Sequence, residues 1–156
     1  MAASVYPIYL TQVDGALAVV VGGGRVATRK VQGLLAVGAR VRVVSPALTE
    51  ALQAWAAADR VEWVARPYTS GDLKGALLAF AATDQRAVNA QVARDAARLG
   101  ILCNVADAPE EGTFHVPAVA RHEGLVVAVG SGGVDPGRSR RIRDEILRWL
   151  RERISA

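Results

Sequence analysis

The feature that most constrains the fold is a short run in which an apolar segment meets three glycines and then a helical pattern. It reads Val19-Val20-Val21-Gly22-Gly23-Gly24-Arg25-Val26-Ala27-Thr28-Arg29-Lys30. Gly22, Gly24 and Ala27 match the G-x-G-x-x-G/A fingerprint of dinucleotide-binding βαβ units. The glycines permit a tight turn and close approach to a pyrophosphate, and the small third residue permits close helix–strand packing. N–H groups at the helix N-terminus can then bind phosphate.

Strand-like and helix-like segments alternate as far as residue 105. We predict strands at residues 17–21, 41–44, 61–64, 76–82 and 101–105, and helices at residues 26–37, 48–58 and 84–98. Asp84 is expected to cap the third helix and Gly100 to end it. This order predicts an α/β fold, a Rossmann-like doubly wound parallel sheet with right-handed crossovers.

The pattern changes after Pro109. Two strands at residues 113–119 and 125–129, with a turn at 121–124, predict a hairpin, and a final helix runs to about Arg153. We therefore predict two domains, residues 1–110 and residues 111–156. A hairpin and one helix are too small to be stable alone.

Several classes of protein are excluded by simple features. The single cysteine, Cys103, excludes an internal disulfide framework and an all-cysteine metal site. The two histidines, His115 and His122, lack metal-ligand spacing, so no metal site is predicted. No apolar run reaches the roughly 20 residues that span a bilayer, and no signal peptide is recognised, so we expect a cytoplasmic protein that does not bind membranes.

The excess positive charge is local. The chain carries a net charge of +4, and residues 138–156, with seven arginines and three acidic residues, account for all of it. This suggests an anionic partner, either an acidic small molecule, a nucleic acid or another subunit. Nucleic acid is disfavoured, because no aromatic platform or nucleic-acid motif accompanies the helix.

The end of the second strand leaves the choice of cofactor open. An acidic residue there normally binds the ribose 2′-hydroxyl of NAD, but the segment reads Val43-Val44-Ser45-Pro46-Ala47. NAD is the expected cofactor, NADP remains open, and S-adenosylmethionine is a weaker alternative. A purely structural turn without a nucleotide is the remaining interpretation of the glycines.

Two polar residues follow strands at the edge where ligands bind in such sheets. Asp107 comes just after the fifth strand, where a carboxylate is well placed for proton transfer beside a nicotinamide ring. An aspartate two residues before Pro109 can instead bond its own backbone, and the residues alone leave both roles open. Thr83 follows the fourth strand and is expected at the cofactor edge.

Five blocks of residues carry a family resemblance. They are Gly22-Gly23-Gly24-Arg25-Val26-Ala27-Thr28-Arg29-Lys30, Ala81-Ala82-Thr83-Asp84, Cys103-Asn104-Val105-Ala106-Asp107-Ala108-Pro109, Phe114-His115-Val116-Pro117-Ala118, and Ser131-Gly132-Gly133 with Asp135-Pro136. The sequence resembles precorrin-2 dehydrogenases, both the dehydrogenase domain of siroheme synthases and the stand-alone enzymes. The resemblance covers nearly all of residues 4–153.

The resemblance implies an NAD-dependent oxidation of precorrin-2 to sirohydrochlorin, in siroheme biosynthesis. The catalytic aspartate of the family falls on Asp107. We expect cofactor contacts, partly implied by the resemblance, at Gly22, Gly23, Gly24, Arg25, Val26, Ser45, Pro46, Ala47 and Thr83. The substrate carries many carboxylates, so Ser131, Arg138 and Arg141 are the candidate substrate-binding residues.

The resemblance also implies a homodimer, with residues 111–156 as the dimerisation and substrate-binding region. Some members insert ferrous iron into sirohydrochlorin, so iron is a further candidate substrate. Two departures from the family pattern are Gln85, where many relatives have an acid, and Gly130, where many have serine. Longer relatives continue beyond the position of Ala156, which leaves iron insertion open.

Two other functions use the same features. A non-catalytic NAD-binding regulatory module would share the glycine loop but would not need Asp107 or the arginine-rich helix. A nucleic-acid-binding protein would rest on the basic helix alone. Turnover of precorrin-2, rather than NAD binding, separates the enzyme from the regulatory module.

Overall fold

The computed structural model describes residues 5–154, which form two compact units. One unit is Tyr9–Phe114, and the other comprises residues 5–8 together with residues 115–154. The outer limits of the predicted domains, residues 1 and 156, lie outside the described residues, and the predicted division at residue 110 stays a prediction.

The larger unit alternates strands and helices as predicted. Its elements are β1 (Leu17–Val21), α1 (Arg25–Leu35), β2 (Arg40–Val44), α2 (Glu50–Ala57), β3 (Glu62–Val64), β4 (Leu78–Ala81), α3 (Arg86–Leu99) and β5 (Leu102–Val105), with 3₁₀ turns at Ser70–Leu73 and Pro109–Glu111. The strands form one parallel sheet in the order β3-β2-β1-β4-β5. The predicted α/β fold class is confirmed.

The central strand is apolar on both faces because both faces are covered. All five residues of β1 are buried. Ala18 and Val20 belong to one core cluster, and Leu17, Val19 and Val21 belong to the other. Successive side chains of a strand point to opposite faces, so a continuous apolar run supplies two cores at once.

The smaller unit contains a hairpin and a helix. Its elements are β6 (Ala118–His122), β7 (Leu125–Val129) and α4 (Pro136–Arg153). Glu123 and Gly124 both have positive φ, which is typical of a two-residue type I′ turn. The predicted turn at 121–124 is therefore wrong at its start, because a two-residue turn lets pairing continue through His122. The predicted strand from residue 113 is also wrong, since β6 begins at Ala118.

The start of α3 differs from the prediction. The N-cap residue is Gln85, not Asp84. The reason is local. The Thr83 hydroxyl accepts a hydrogen bond from the Gln85 backbone N–H at 3.1 Å, which bends the chain at Asp84. The helix therefore begins only after Gln85. Gly100 ends the helix in the left-handed conformation, as predicted. No helix within residues 5–154 is long and apolar enough to cross a membrane.

Candidate active site

The loops that carry the predicted cofactor residues leave the same edge of the sheet. Val21, the last residue of β1, is in register with Val44 of β2 and Ala81 of β4, and Ala81 is in register with Val105 of β5. The chain turns to opposite sides after β1 and β4, which makes their shared edge a topological switch point. Ligands of open α/β sheets bind at such a point, outside the carboxyl ends of the strands.

Gly22 packs against the loop that follows β4. Its φ of +125° is a conformation that favours glycine. An added Cβ would lie 2.3 Å from the carbonyl oxygen of Ala82, and the Gly22 N–H donates to the Val44 carbonyl at 3.0 Å. The first glycine of the fingerprint is therefore required for both backbone conformation and packing.

Gly23 packs even more closely against the loop that follows β2. An added Cβ would lie 1.9 Å from the carbonyl oxygen of Ala47, and the Gly23 carbonyl accepts the Thr49 N–H at 2.9 Å. The fingerprint allows any residue at this position, so its pattern gives no reason for a glycine here. The reason is the contact between the two loops.

Gly24 differs from both, because nothing within 4 Å would meet a Cβ there. It is the N-cap residue of α1, has no side chain to cap the helix, and is followed by a first turn without an acidic residue. Arg25 and Val26, which open the helix, are exposed. A helix N-terminus with uncapped N–H groups and open space in front fits a bound phosphate, so the residues present fit the pyrophosphate of a dinucleotide.

The loop after β2 is held by one hydrogen bond within itself and by one from β3. The buried Ser45 hydroxyl donates to the Ala47 carbonyl at 2.8 Å, and the indole N–H of Trp63 donates to the Ser45 carbonyl at 2.9 Å. Pro46 and Ala47 are exposed at the edge. Because the loop offers no carboxylate to a ribose 2′-hydroxyl, its chemistry does not select NAD over NADP. The cofactor roles of these residues stay predictions.

Thr83 is held by a residue that the sequence did not single out. Asn89, a buried residue of α3, accepts hydrogen bonds from the backbone N–H and the hydroxyl of Thr83. An asparagine inside a helical pattern is an unusual choice for a buried position, which is the one signal that could have identified it.

Asp107 lies in the exposed loop after β5. The preceding Ala106 N–H donates to the Ala81 carbonyl at 2.9 Å, which holds this loop against β4. The Asp107 carboxylate forms an ion pair with Arg86, with 2.6 Å between Oδ1 and Nη1. Arg86 also contacts Glu111. Across the described residues, no hydrogen bond links the Asp107 side chain to its own loop backbone, so the turn-stabilising interpretation lacks its contact.

The candidate substrate-binding residues lie in the loop before α4 and in the first two turns of that helix. The Ser131 hydroxyl accepts the Asp135 N–H at 2.9 Å, and the Asp135 carboxylate caps the helix by accepting the Arg138 N–H at 2.8 Å. Arg138 and Arg141 are exposed. Ser131 therefore helps to fix the loop from which the helix begins, and its substrate role stays a prediction.

Two further groups have altered acidity. Burial raises the pKa of the Cys103 thiol to about 11, so this cysteine is a core residue without a reactive thiolate. Burial, followed by the charge of Arg29, lowers the pKa of Lys30, whose ammonium lies 5.9 Å from the centre of the Phe80 ring. No group of three or more metal-ligating side chains occurs among residues 5–154.

The switch point, the crowded glycine loop and the open helix N-terminus define a dinucleotide-binding α/β domain. The chain belongs to the family described as "Putative NAD(P)-binding", whose model matches residues 9–118. This agrees with the nicotinamide cofactor predicted from the glycine loop.

Known proteins narrow the class further. The chain is 39% identical over 150 residues to "Siroheme synthase 1" of Aeromonas salmonicida (strain A449), covering 96% of this chain and 32% of that protein. It is 42% identical over 139 residues to the siroheme synthase of Ectopseudomonas mendocina (strain ymp), covering 89% and 30%. The chain thus spans about a third of the length of these relatives. A solved structure, "SirC, precorrin-2 dehydrogenase", superposes with a TM-score of 0.77 at 28% identity, covering 91% of this chain and 69% of that one.

Proposed function

We propose that the chain oxidises precorrin-2 to sirohydrochlorin with NAD as the oxidant. The observation that carries the proposal is Asp107, an exposed carboxylate at the same sheet edge as the open N-terminus of α1. The likeness to siroheme synthases and to a precorrin-2 dehydrogenase structure supports it. A regulatory NAD-binding module would have no use for this carboxylate.

The reaction removes two hydrogens from the macrocycle, one as hydride and one as a proton. NAD, when bound, supplies the hydride acceptor. The backbone N–H groups of Arg25 and Val26 would hold its pyrophosphate. Asp107 would take the proton or orient the macrocycle for its loss, and one carboxylate can do both.

The substrate is a polyanion, and the exposed arginines at the start of α4 suit it. Arginine binds carboxylate through two parallel hydrogen bonds. We propose that Arg138 and Arg141 bind substrate carboxylates, with Ser131 fixing the loop before them. A cytoplasmic location and ferrous iron as a second substrate also stay predictions from the sequence and its resemblance.

We also propose a homodimer formed through the smaller unit. Within residues 115–154, the buried apolar side chains are Ala120 and Leu150 alone. Large apolar side chains are exposed instead, including Val134 at 82% and Trp149 at 52%. Exposed apolar surface of this kind is typical of a protein–protein interface.

The test is turnover of precorrin-2 by the purified chain with NAD, followed through formation of NADH and sirohydrochlorin. Asp107→Ala should lower the rate roughly 100-fold, the usual scale for a lost general base, and should retain NAD affinity and fold. Asp84→Ala is the matched control, because Asp84 is an exposed carboxylate after the neighbouring strand. NAD binding without turnover by the unaltered chain would favour the regulatory module, and near-normal turnover by Asp107→Ala would contradict the assigned role.

A further inference from the structure

One guanidinium joins three segments of the candidate active site. Arg86 opens α3, and its Nη1 lies 2.6 Å from Oδ1 of Asp107, in the loop after β5. Its Nη2 contacts Oε2 of Glu111, which ends the 3₁₀ turn Pro109–Glu111. The three side chains are 45%, 38% and 42% exposed, respectively.

The position of Arg86 opposes the electrostatics of its own helix. A cation in the first turn of a helix is disfavoured by the partial positive charge of the N-terminus, and α3 has no acidic residue in its first turn to offset it. The compensating carboxylates come from residues 21 and 25 positions further along the chain. A local rule broken in favour of contacts to a candidate catalytic group points to a role in function.

Stability does not account for this arrangement. Ion pairs between side chains this exposed contribute little to folding, because water screens them and ordering long side chains costs entropy. The geometric effect is larger. The rigid, planar guanidinium holds a carboxylate oxygen at a fixed distance and direction, and a second carboxylate holds the guanidinium itself.

The backbone around Arg86 is fixed as well. The preceding residue, Gln85, donates its N–H to the Thr83 hydroxyl at 3.1 Å, and the Thr83 hydroxyl donates to Asn89 at 2.7 Å. Asn89 is fully buried, so Arg86 extends from a well-anchored turn. A chain of contacts therefore runs from the buried amide of Asn89 to the carboxylate of Asp107.

We propose that Arg86 is a positioning residue for Asp107 and that Glu111 in turn positions Arg86. The guanidinium engages Oδ1 of Asp107 and thereby directs Oδ2 toward substrate. This rests on the proposed function, since it assigns Asp107 the proton-accepting or orienting role in dehydrogenation. It also predicts that Arg86 immobilises residues 106–111 whatever reaction the chain catalyses.

The kinetic test compares Arg86→Ala, Arg86→Lys and Glu111→Gln with the unaltered chain. A misplaced catalytic group costs turnover, so Arg86→Ala should lower kcat roughly 10- to 100-fold and change KM for precorrin-2 less than about twofold. Arg86→Lys should recover part of the loss, because an ammonium replaces the charge but not the two-pronged geometry. Glu111→Gln should have a smaller effect that disappears in the Arg86→Ala background.

Arg94→Ala is the matched control, since Arg94 is an exposed arginine of the same helix that donates to Gln91 at 2.7 Å. It should leave kcat and KM unchanged. A rise in KM at constant kcat for Arg86→Ala would show that Arg86 binds substrate directly, which overturns the positioning role. Unchanged kinetics for Arg86→Ala would overturn it too.

A second measurement separates this proposal from the proposed function. Backbone hydrogen exchange in residues 106–111 should accelerate in Arg86→Ala and stay unchanged in Arg94→Ala, with NAD present or absent. If the unaltered chain fails to oxidise precorrin-2 but exchange accelerates as expected, the proposed reaction is wrong, and the proposal that Arg86 immobilises this loop is supported. If exchange is unaffected in Arg86→Ala, the positioning role of Arg86 is wrong even when the unaltered chain oxidises precorrin-2.

Discussion

Asn89 binds Thr83 through three hydrogen bonds. Its carbonyl oxygen accepts from the Thr83 N–H at 3.1 Å and from the Thr83 hydroxyl at 2.7 Å, and its amide donates to the Thr83 carbonyl at 3.0 Å. The Asn89 side chain is fully buried. One side chain of α3 thus replaces the pairing partners that the backbone loses where β4 ends.

Replacing Asn89 should destabilise the fold and loosen the cofactor edge together. Asn89→Ala leaves the N–H and carbonyl of Thr83 without partners, so we expect a loss of about 2–3 kcal/mol in the free energy of unfolding. NAD affinity should also fall. Chemical denaturation and NAD titration measure the two effects. Gln85→Ala is the control, because Gln85 is exposed and makes no side-chain cap. Equal stability of both variants would contradict the anchoring role of Asn89.

Gly24 and its neighbour Gly23 should respond oppositely to substitution. Gly24→Asp should fold at least as stably as the unaltered chain, because there is space for the side chain and aspartate is a good N-cap. It should nevertheless abolish NAD binding, because a carboxylate would occupy the phosphate position. Calorimetric NAD titration and thermal unfolding test this. Retained NAD affinity in folded Gly24→Asp would refute the assigned phosphate position.

Gly23→Ala should instead damage the fold. Its Cβ would lie 1.9 Å from a backbone oxygen, so the two loops must separate, at a cost of about 1–3 kcal/mol. Denaturant unfolding measures this cost, and Gly33→Ala, with open space around its Cβ, is the control. Undiminished stability of Gly23→Ala would show that the loops do not require this contact.

Stability should depend on pH through Asp72. This carboxylate is 7% exposed, and its Oδ1 lies 2.6 Å from Nη2 of Arg66. The hydrogen bonds from Arg66 lower the pKa of Asp72 in the folded state. The pair therefore stabilises the fold above the unfolded-state pKa of about 3.9, and this contribution is lost as the pH falls through the lower folded-state value.

The stability difference between the unaltered chain and Arg66→Ala should accordingly be full at pH 7 and shrink as the pH falls below about 4. Denaturant midpoints across this range provide the measurement, with Arg60→Ala as an exposed-arginine control. A difference that is independent of pH would show that the pair does not carry the effect.

Charge reversal at Arg138 and Arg141 should impair substrate binding alone. The double variant Arg138→Glu/Arg141→Glu should raise KM for precorrin-2 roughly tenfold or more, because two side chains proposed to bind carboxylates become carboxylates themselves. NAD affinity should stay nearly unchanged, because both residues are exposed on α4 and neither is a predicted cofactor contact. Arg60→Glu/Arg94→Glu makes the same change in net charge elsewhere. Tight, salt-sensitive nucleic-acid binding that the α4 variant loses would favour the nucleic-acid interpretation instead.

Light scattering should give twice the chain mass of 16.4 kDa for the unaltered protein. Trp149→Glu should shift the population toward monomer, because it puts a charge on the exposed apolar surface of the smaller unit. Leu99→Glu is the control, since Leu99 is a comparably exposed side chain, at 53%, on α3. A stable, folded monomer of the unaltered chain would contradict the proposed dimer.

Local patterns in the sequence were enough to predict the alternating strands and helices of the larger unit. The limits of β1, Leu17–Val21, and of β7, Leu125–Val129, agree with the prediction, and so does the end of α3 at Gly100. These features follow from apolar runs, β-branched residues and glycine, which act over a few residues. The fingerprint likewise located the loop at the switch point, because the backbone conformation and the packing of its first glycine, Gly22, require a glycine.

Tertiary structure decided which polar residues meet. Arg86 lies 21 residues before Asp107, and no periodicity links them. They meet because β4 and β5 pair in parallel register, which brings the start of α3 beside the loop after β5. Helix α4 shows the same limit, since Trp149 and Leu150 are adjacent in the sequence, yet the first is half exposed and the second is buried. Sequence spacing determines which side chains share a helix face, and only packing decides what covers that face.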